Sequence, residues 1–262
     1  MYYYIVDPQK ISQKEFERVQ NNLYSSLSEY RISGEIVRVT GLRTIQQLVE
    51  NAFAHEAKTL VAVGTDETLH DVINAVRKRD IVIGFIPLVE SEISNILGIK
   101  DIPQAVKTVA NRRVENLDLG VVNDYYFLSK INFGSLDNNS FTLKFSADDN
   151  YQATQEIIGG VILNSRNETK EKTIGNPTDG LLDILLLPKL SKWEAFWYRR
   201  LLALGHFEEI PHASVVHVNK IEIMEPLGLA LKVGNRVVAK TPATITVVKD
   251  FLKMIVGKER NF

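Results

Sequence analysis

Two hydrophobic rhythms divide the chain. In the first half, short continuous apolar runs alternate with segments whose apolar residues recur every three or four positions. The runs 2–6, 35–39, 59–63 and 81–86 read as strands buried on both faces. Between them, Phe16, Val19, Leu23, Leu27 and Tyr30 mark one helix. Ile45, Leu48, Val49, Ala52 and Phe53 mark a second, and Leu69, Val72, Ile73 and Val76 a third over 68–77. Ser12 with Glu15, and Thr44 with Gln47, have capping-box spacing at the start of the first two. This alternation predicts a parallel sheet covered by helices on both faces.

Near residue 120 the rhythm changes. Short alternating or apolar runs over 125–153, 157–164, 183–187, 215–224 and 229–248 are separated by turn-rich stretches, as in antiparallel β structure. One helix, 191–204, interrupts them, and a last helix is expected over 250–256. The fold class is therefore α/β plus β. A Rossmann-like α/β domain is expected over 1–123, completed by 250–262, and a β-rich, sandwich-like domain over 124–249. The polar, aperiodic segment 164–177 reads as a mobile loop.

Composition narrows the partners. A chain of 262 residues buries a core without help from disulfides or metal. With 45% hydrophobic and 24% charged residues it is no disordered chain. Its 31 basic and 32 acidic side chains give a net charge of −1, which argues against nucleic acid as a partner. The absence of cysteine excludes disulfides, thiolate nucleophiles and cysteine-bound zinc, and fits a cytoplasmic protein. Residues 1–10 lack a cationic region ahead of an apolar core, so no signal peptide is expected there. The longest apolar run, 81–89, falls short of the roughly 18–20 residues that span a bilayer. Peripheral membrane contact and a homodimer both stay open.

The most informative stretch is 60–76, LVAVGTDETLHDVINAV, which reads strand, glycine turn, helix. It resembles the strand–GGDGT–helix segment shared by diacylglycerol kinases, sphingosine kinases, bacterial lipid kinases and NAD kinases. Ile86-Pro87-Leu88 followed by Gly98-Ile99, then Asp118-Leu119-Gly120, then Asp179-Gly180-Leu181-Leu182-Asp183, resemble further landmarks in the same order. The last of these favours the lipid-kinase branch over NAD kinase. The resemblance implies transfer of a phosphoryl group from ATP, with Mg2+, to the hydroxyl of a lipid alcohol such as diacylglycerol. It places nucleotide at Thr40, Gly64, Thr65, Asp66, Glu67 and Thr68, and magnesium at Asp179 and Asp183.

Several positions depart from that pattern. Thr65 and Glu67 replace the second and third glycines of the turn. If the turn needed a left-handed backbone at Glu67, the side chain would cost about 1–2 kcal/mol. Its carboxylate facing phosphate at about 4 Å, with an effective dielectric near 20, would repel by about 4 kcal/mol. Asp7-Pro8 stands where the family has Asn-Pro. Val89-Glu90-Ser91-Glu92-Ile93 replaces a Gly-Thr-Gly-Asn-Asp turn, with Ser91 and Glu92 opening a short helix. Val233-Gly234-Asn235 replaces the Asp-Gly-Glu that supplies the family's base, so the catalytic residue is unknown.

Structural roles compete with each site role. Asp66 and Thr68 suit helix capping, Thr40 a strand end, and Asp179 and Asp183 a turn and a strand end. Of the five histidines none forms an i, i+4 pair. His212 and His217 fall on opposite faces of a regular strand, so no metal or triad role is expected. The stripe Trp193, Phe196, Trp197 and Leu201 is read as core packing in preference to a membrane-facing patch with Lys192, Arg199 and Arg200. Three functional readings follow: a lipid kinase, a catalytically inactive relative (pseudokinase) with a binding or regulatory role, and an NAD-kinase-like enzyme.

Overall fold

The computed structural model describes residues 1–8, 13–134, 139–165, 175–204, 210 and 214–262. The Ser12 cap, His206, His212, most of 164–177 and the Lys192 side chain lie outside the described residues. The chain divides into two compact units. One holds Met1–Leu117 with Asp250–Phe262, and the other the described residues of 118–249.

The first unit contains β1 (Tyr2–Val6), α1 (Gln13–Glu29), β2 (Gly34–Arg38), α2 (Ile45–Ala54), β3 (Thr59–Gly64), α3 (Asp66–Val76), β4 (Val82–Pro87), α4 (Glu92–Ile96), α5 (Ile102–Asn111) and the start of β5 (Val114–Val122). Tyr2 pairs in parallel with both Gly34 and Thr59, and Thr59 with Val82, giving the order β2-β1-β3-β4. All six residues of β3 are buried, because helices cover both faces of a parallel strand. Helix α2 starts at Thr44, whose hydroxyl accepts from Gln47 N–H while Gln47 Oε1 accepts from Thr44 N–H, so the expected capping box is present. Helix α3 buries Leu69, Val72, Ile73 and Val76. Helix α5 is not among the elements expected above, although Asp101, Pro103 and the 102/105/106/109 spacing signal it. It begins at the Asp101 cap and buries only four side chains.

The second unit contains β6 (Tyr125–Phe127), β7 (Lys130–Gly134), β8 (Phe141–Ala147), β9 (Tyr151–Ile157), β10 (Gly159–Leu163), β11 (Leu182–Leu187), α6 (Lys192–Trp197), α7 (Arg199–Leu204), β12 (Ser214–Val218), β13 (Lys220–Glu225), β14 (Ala230–Val233), β15 (Arg236–Lys240) and the first half of β16 (Ala243–Ile255). One antiparallel sheet runs β12-β11-β10-β7-β14-β15, and β16, β13, β8 and β9 form a second. Phe127, Ile131, Phe133, Phe145, Ile184 and Ile223 belong to the core shared by the two sheets.

Two expected helices are corrected. Residues 250–255 are the end of strand β16. Met254 pairs in parallel with Ile83 of β4, inside the first unit. The run Phe251-Leu252-Lys253-Met254-Ile255-Val256 has enough apolar residues for either conformation, and the open edge of β4 decides between them. Segment 191–204 is two short helices, parted at Tyr198, whose N–H bonds the Glu194 carbonyl as a cap. Bulky aromatic residues lose rotamer freedom against the preceding turn, which weakens a helix through Phe-Trp-Tyr.

Candidate functional site

The glycine turn sits at the C-terminal edge of the parallel sheet, beside the point where β1 is flanked by β2 and β3. Loops leave in opposite directions at such a switch point, the place where α/β sheets commonly take ligands. Backbone bonds align the strand ends: Val39 N–H to Val6 O (2.9 Å), Asp7 N–H to Val63 O (2.8 Å) and Leu88 N–H to Gly64 O (2.9 Å). Asp7, Gly64–Thr68 and the chain entering α4 are thereby brought together.

Gly64 is fixed by close approach. A Cβ there would lie 2.3 Å from Thr68 Oγ1. Thr65 is the extended N-cap of α3 (φ −100°, ψ 176°), and Asp66 and Glu67 occupy its first turn. Glu67 is therefore helical and absent from the left-handed residues, so the backbone strain considered for it does not arise. Thr68 Oγ1 accepts the Thr65 N–H (3.1 Å) and donates to Asp7 Oδ2 (3.0 Å). A backbone amide that the resemblance assigns to phosphate is thus already engaged by the chain itself. Ser91 caps α4 and also donates through Oγ to Asp66 Oδ1 (2.5 Å). That second bond was unreadable from sequence, where Ser91 signals only a helix start.

The glycine turn and the chain around it are rich in acids. A helix N-terminus favours an anion. Here two carboxylates of the same turn supply the negative charge, with Asp7 and Glu92 close by. Burial pushes the Asp66 carboxyl up to about 6. The Ser91 hydroxyl and the Ile93 N–H oppose the rise, and the Glu92 and Glu67 charges add to it. Thr40 is exposed at the end of β2, and its hydroxyl accepts from Arg43 N–H (3.2 Å) and Leu42 N–H (3.4 Å), closing its own turn.

In the second unit, two of the sequence landmarks meet. Buried Asp118 accepts the Gly180 N–H at Oδ2 (2.7 Å), and its own N–H bonds Pro177 O (2.6 Å). Gly120 lies opposite Phe127, and a Cβ would strike that ring at 2.0 Å. Gly180 adopts φ +73°, with the Lys249 side chain against it. Asp179 Oδ1 accepts the Leu181 N–H (2.9 Å). Its carboxyl is raised by burial first, against that bond, and further by the charges of Asp183 and Asp118. Buried Asp183 accepts the Gly175 N–H through Oδ2 and meets His217 Nδ1 through Oδ1. The two residues are direct partners across β11 and β12, a register that spacing alone does not reveal.

This donor set does not fit a resident cation. Both Asp183 oxygens are engaged by protein groups, as is Oδ1 of Asp179. Among the described residues no group of three or more His, Asp or Glu is arranged to hold a metal. Val233-Gly234-Asn235 forms the tip of the β14–β15 hairpin, with Gly234 at φ +58° as the first residue of a two-residue turn. It presents no carboxylate. The aromatic stripe divides: Leu201 packs inward, whereas Trp193, Phe196 and Trp197 are exposed, so core packing does not describe those three.

A parallel sheet in 2-1-3-4 order, a glycine turn into a helix at its switch point and a following antiparallel unit form an architecture shared with solved structures of diacylglycerol kinases and of an NAD kinase. The sequence profile of the diacylglycerol kinase catalytic domain matches residues 2–122. No curated protein matches the sequence significantly. Among solved structures, a candidate diacylglycerol kinase from Bacillus anthracis strain Sterne aligns at TM-score 0.82 and 17% identity, over 99% of this chain and 96% of its own. A structure of a diacylglycerol kinase from the same strain aligns at TM-score 0.79 and 17% identity, covering 98% and 97%. An NAD kinase from Archaeoglobus fulgidus in complex with ATP aligns at TM-score 0.59 and 13% identity, covering 99% and 95%.

Proposed function

We propose that the chain is a lipid-kinase-family protein whose triphosphate seat has closed on itself, so that it serves a binding or regulatory role. In the family reaction a lipid hydroxyl takes the γ-phosphoryl group of ATP. That chemistry needs phosphate positioning, charge neutralisation and a base. The observation that carries the reading is the locked turn. Thr68 occupies the Thr65 amide and bonds Asp7, while Asp66 and Glu67 place two carboxylates in the helix turn that would meet phosphate. The missing acid at Val233–Asn235 supports it from the side of proton transfer. Both Asp183 oxygens and Oδ1 of Asp179 already serve the protein's own groups, which counts against a resident magnesium there.

Titration calorimetry with ATP, with and without magnesium, tests the proposal. Binding is expected to be absent or millimolar, with no phosphorylation across a panel of lipid alcohols and no NADP formed from NAD. Glu67→Gly alone is expected to leave this unchanged, since Asp7, Asp66 and Thr68 still hold the turn. Micromolar magnesium-dependent binding with lipid turnover overturns the proposal in favour of an active lipid kinase.

A further inference from the structure

Helices α6 and α7 split their side chains between two environments. Ala195, Tyr198 and Leu201 pack on the core cluster of β10 and β11. Trp193, Phe196 and Trp197 point away from it, at 76%, 57% and 74% exposure. The Phe196 and Trp197 rings meet edge to face, with centroids 6.1 Å apart. The Arg199 guanidinium lies 5.4 Å from the Phe196 centroid. Three large exposed rings on one short helix form the kind of apolar patch that marks an interaction surface.

Charge identifies the occupant. Between 189 and 200 the sequence carries Lys189, Lys192, Arg199 and Arg200 against a single acid, Glu194. That acid is turned to the backbone, accepting the Ser191 N–H at 2.9 Å. Lys189, Arg199 and Arg200 are exposed. The local excess of positive charge contrasts with the net −1 of the whole chain. Indole rings seat at the boundary between acyl chains and headgroups, and neighbouring arginines engage lipid phosphates. Anionic leaflets attract such basic clusters. A second copy fits less well: in a two-fold contact the patch would meet its own positive charge.

We propose that this patch docks the protein onto an anionic membrane surface. The proposal does not rest on the nucleotide reading, because docking needs neither ATP nor turnover. Trp193 and Trp197 are the chain's two tryptophans, so tryptophan emission, excited selectively over the nine tyrosines, reports on the patch alone. The full chain is titrated with vesicles of phosphatidylcholine mixed with phosphatidylglycerol, and with phosphatidylcholine alone. The mixed vesicles are expected to shift emission to the blue, with quenching by brominated lipid and loss of binding at high salt. Phe196→Ala is expected to lower partitioning about tenfold, and Arg199→Glu with Arg200→Glu to remove the preference for anionic lipid. These side chains are exposed, and circular dichroism verifies that each variant is folded. Flotation without lipid preference, an unmoved spectrum, or a blue shift that tracks protein concentration without vesicles each overturns the proposal.

Discussion

Asp66 concentrates the chemistry of the site in one side chain. Its carboxyl rises from 3.8 to about 6 mainly through burial. The folded state therefore holds a proton that the unfolded state releases. Asp66's contribution to stability is fully present below pH 3.8 and is lost as the pH rises through about 6. Asp66→Asn removes the ionisation. Its melting temperature relative to the parent is expected to increase as the pH climbs through this window and to level off above it. Thermal melts across the range check this, and a difference that does not change with pH refutes it. The sequence named Asp66 by its place in the turn. It was silent on Ser91 as the partner, because that contact joins residues 25 apart through tertiary packing.

Strand β16 shows the same division at the scale of an element. Phe251 to Val256 is apolar enough for a helix or a strand. Pairing with β4 made it a strand and buried Leu252, Met254 and Ile255. Met254 is fully buried beside Ile83. Met254→Ala is expected to cost about 2–5 kcal/mol. Lys253→Ala, half-exposed, is expected to stay within about 0.5 kcal/mol. Urea denaturation of the two variants measures the contrast; equal losses would contradict the strand assignment. Helix α3 behaved otherwise. Its periodicity, its glycine boundary and its buried face agree, so local preference and tertiary context coincide there.

At the scale of the molecule, 250–262 is remote in sequence yet belongs to the first unit. Gly98, at φ +69°, is crowded by Glu259 and Arg260, and Gly257 N–H bonds Leu97 O at 2.7 Å. The glycine noted as a landmark is thus a docking point for the chain end. Deleting 250–262 strips the edge of β4 and removes four buried apolar side chains, Leu252, Met254, Ile255 and Val256. The shortened chain is expected to lose protection of its β3 and β4 amides in hydrogen exchange; protection equal to that of the full chain would show that the first unit stands without this segment.

The α/β and β rhythms, the capped second helix and the turn residues 64–68 were legible in the sequence, because each depends on neighbours within a few positions and on a repeating apolar face. The Thr68–Asp7 lock, the Asp183–His217 pair, the strand at the chain end and the outward face of Trp193 and Trp197 were not. Each of those follows from which distant segments share a sheet edge or a core, and free energy at that range is settled by tertiary packing, which local preference does not encode.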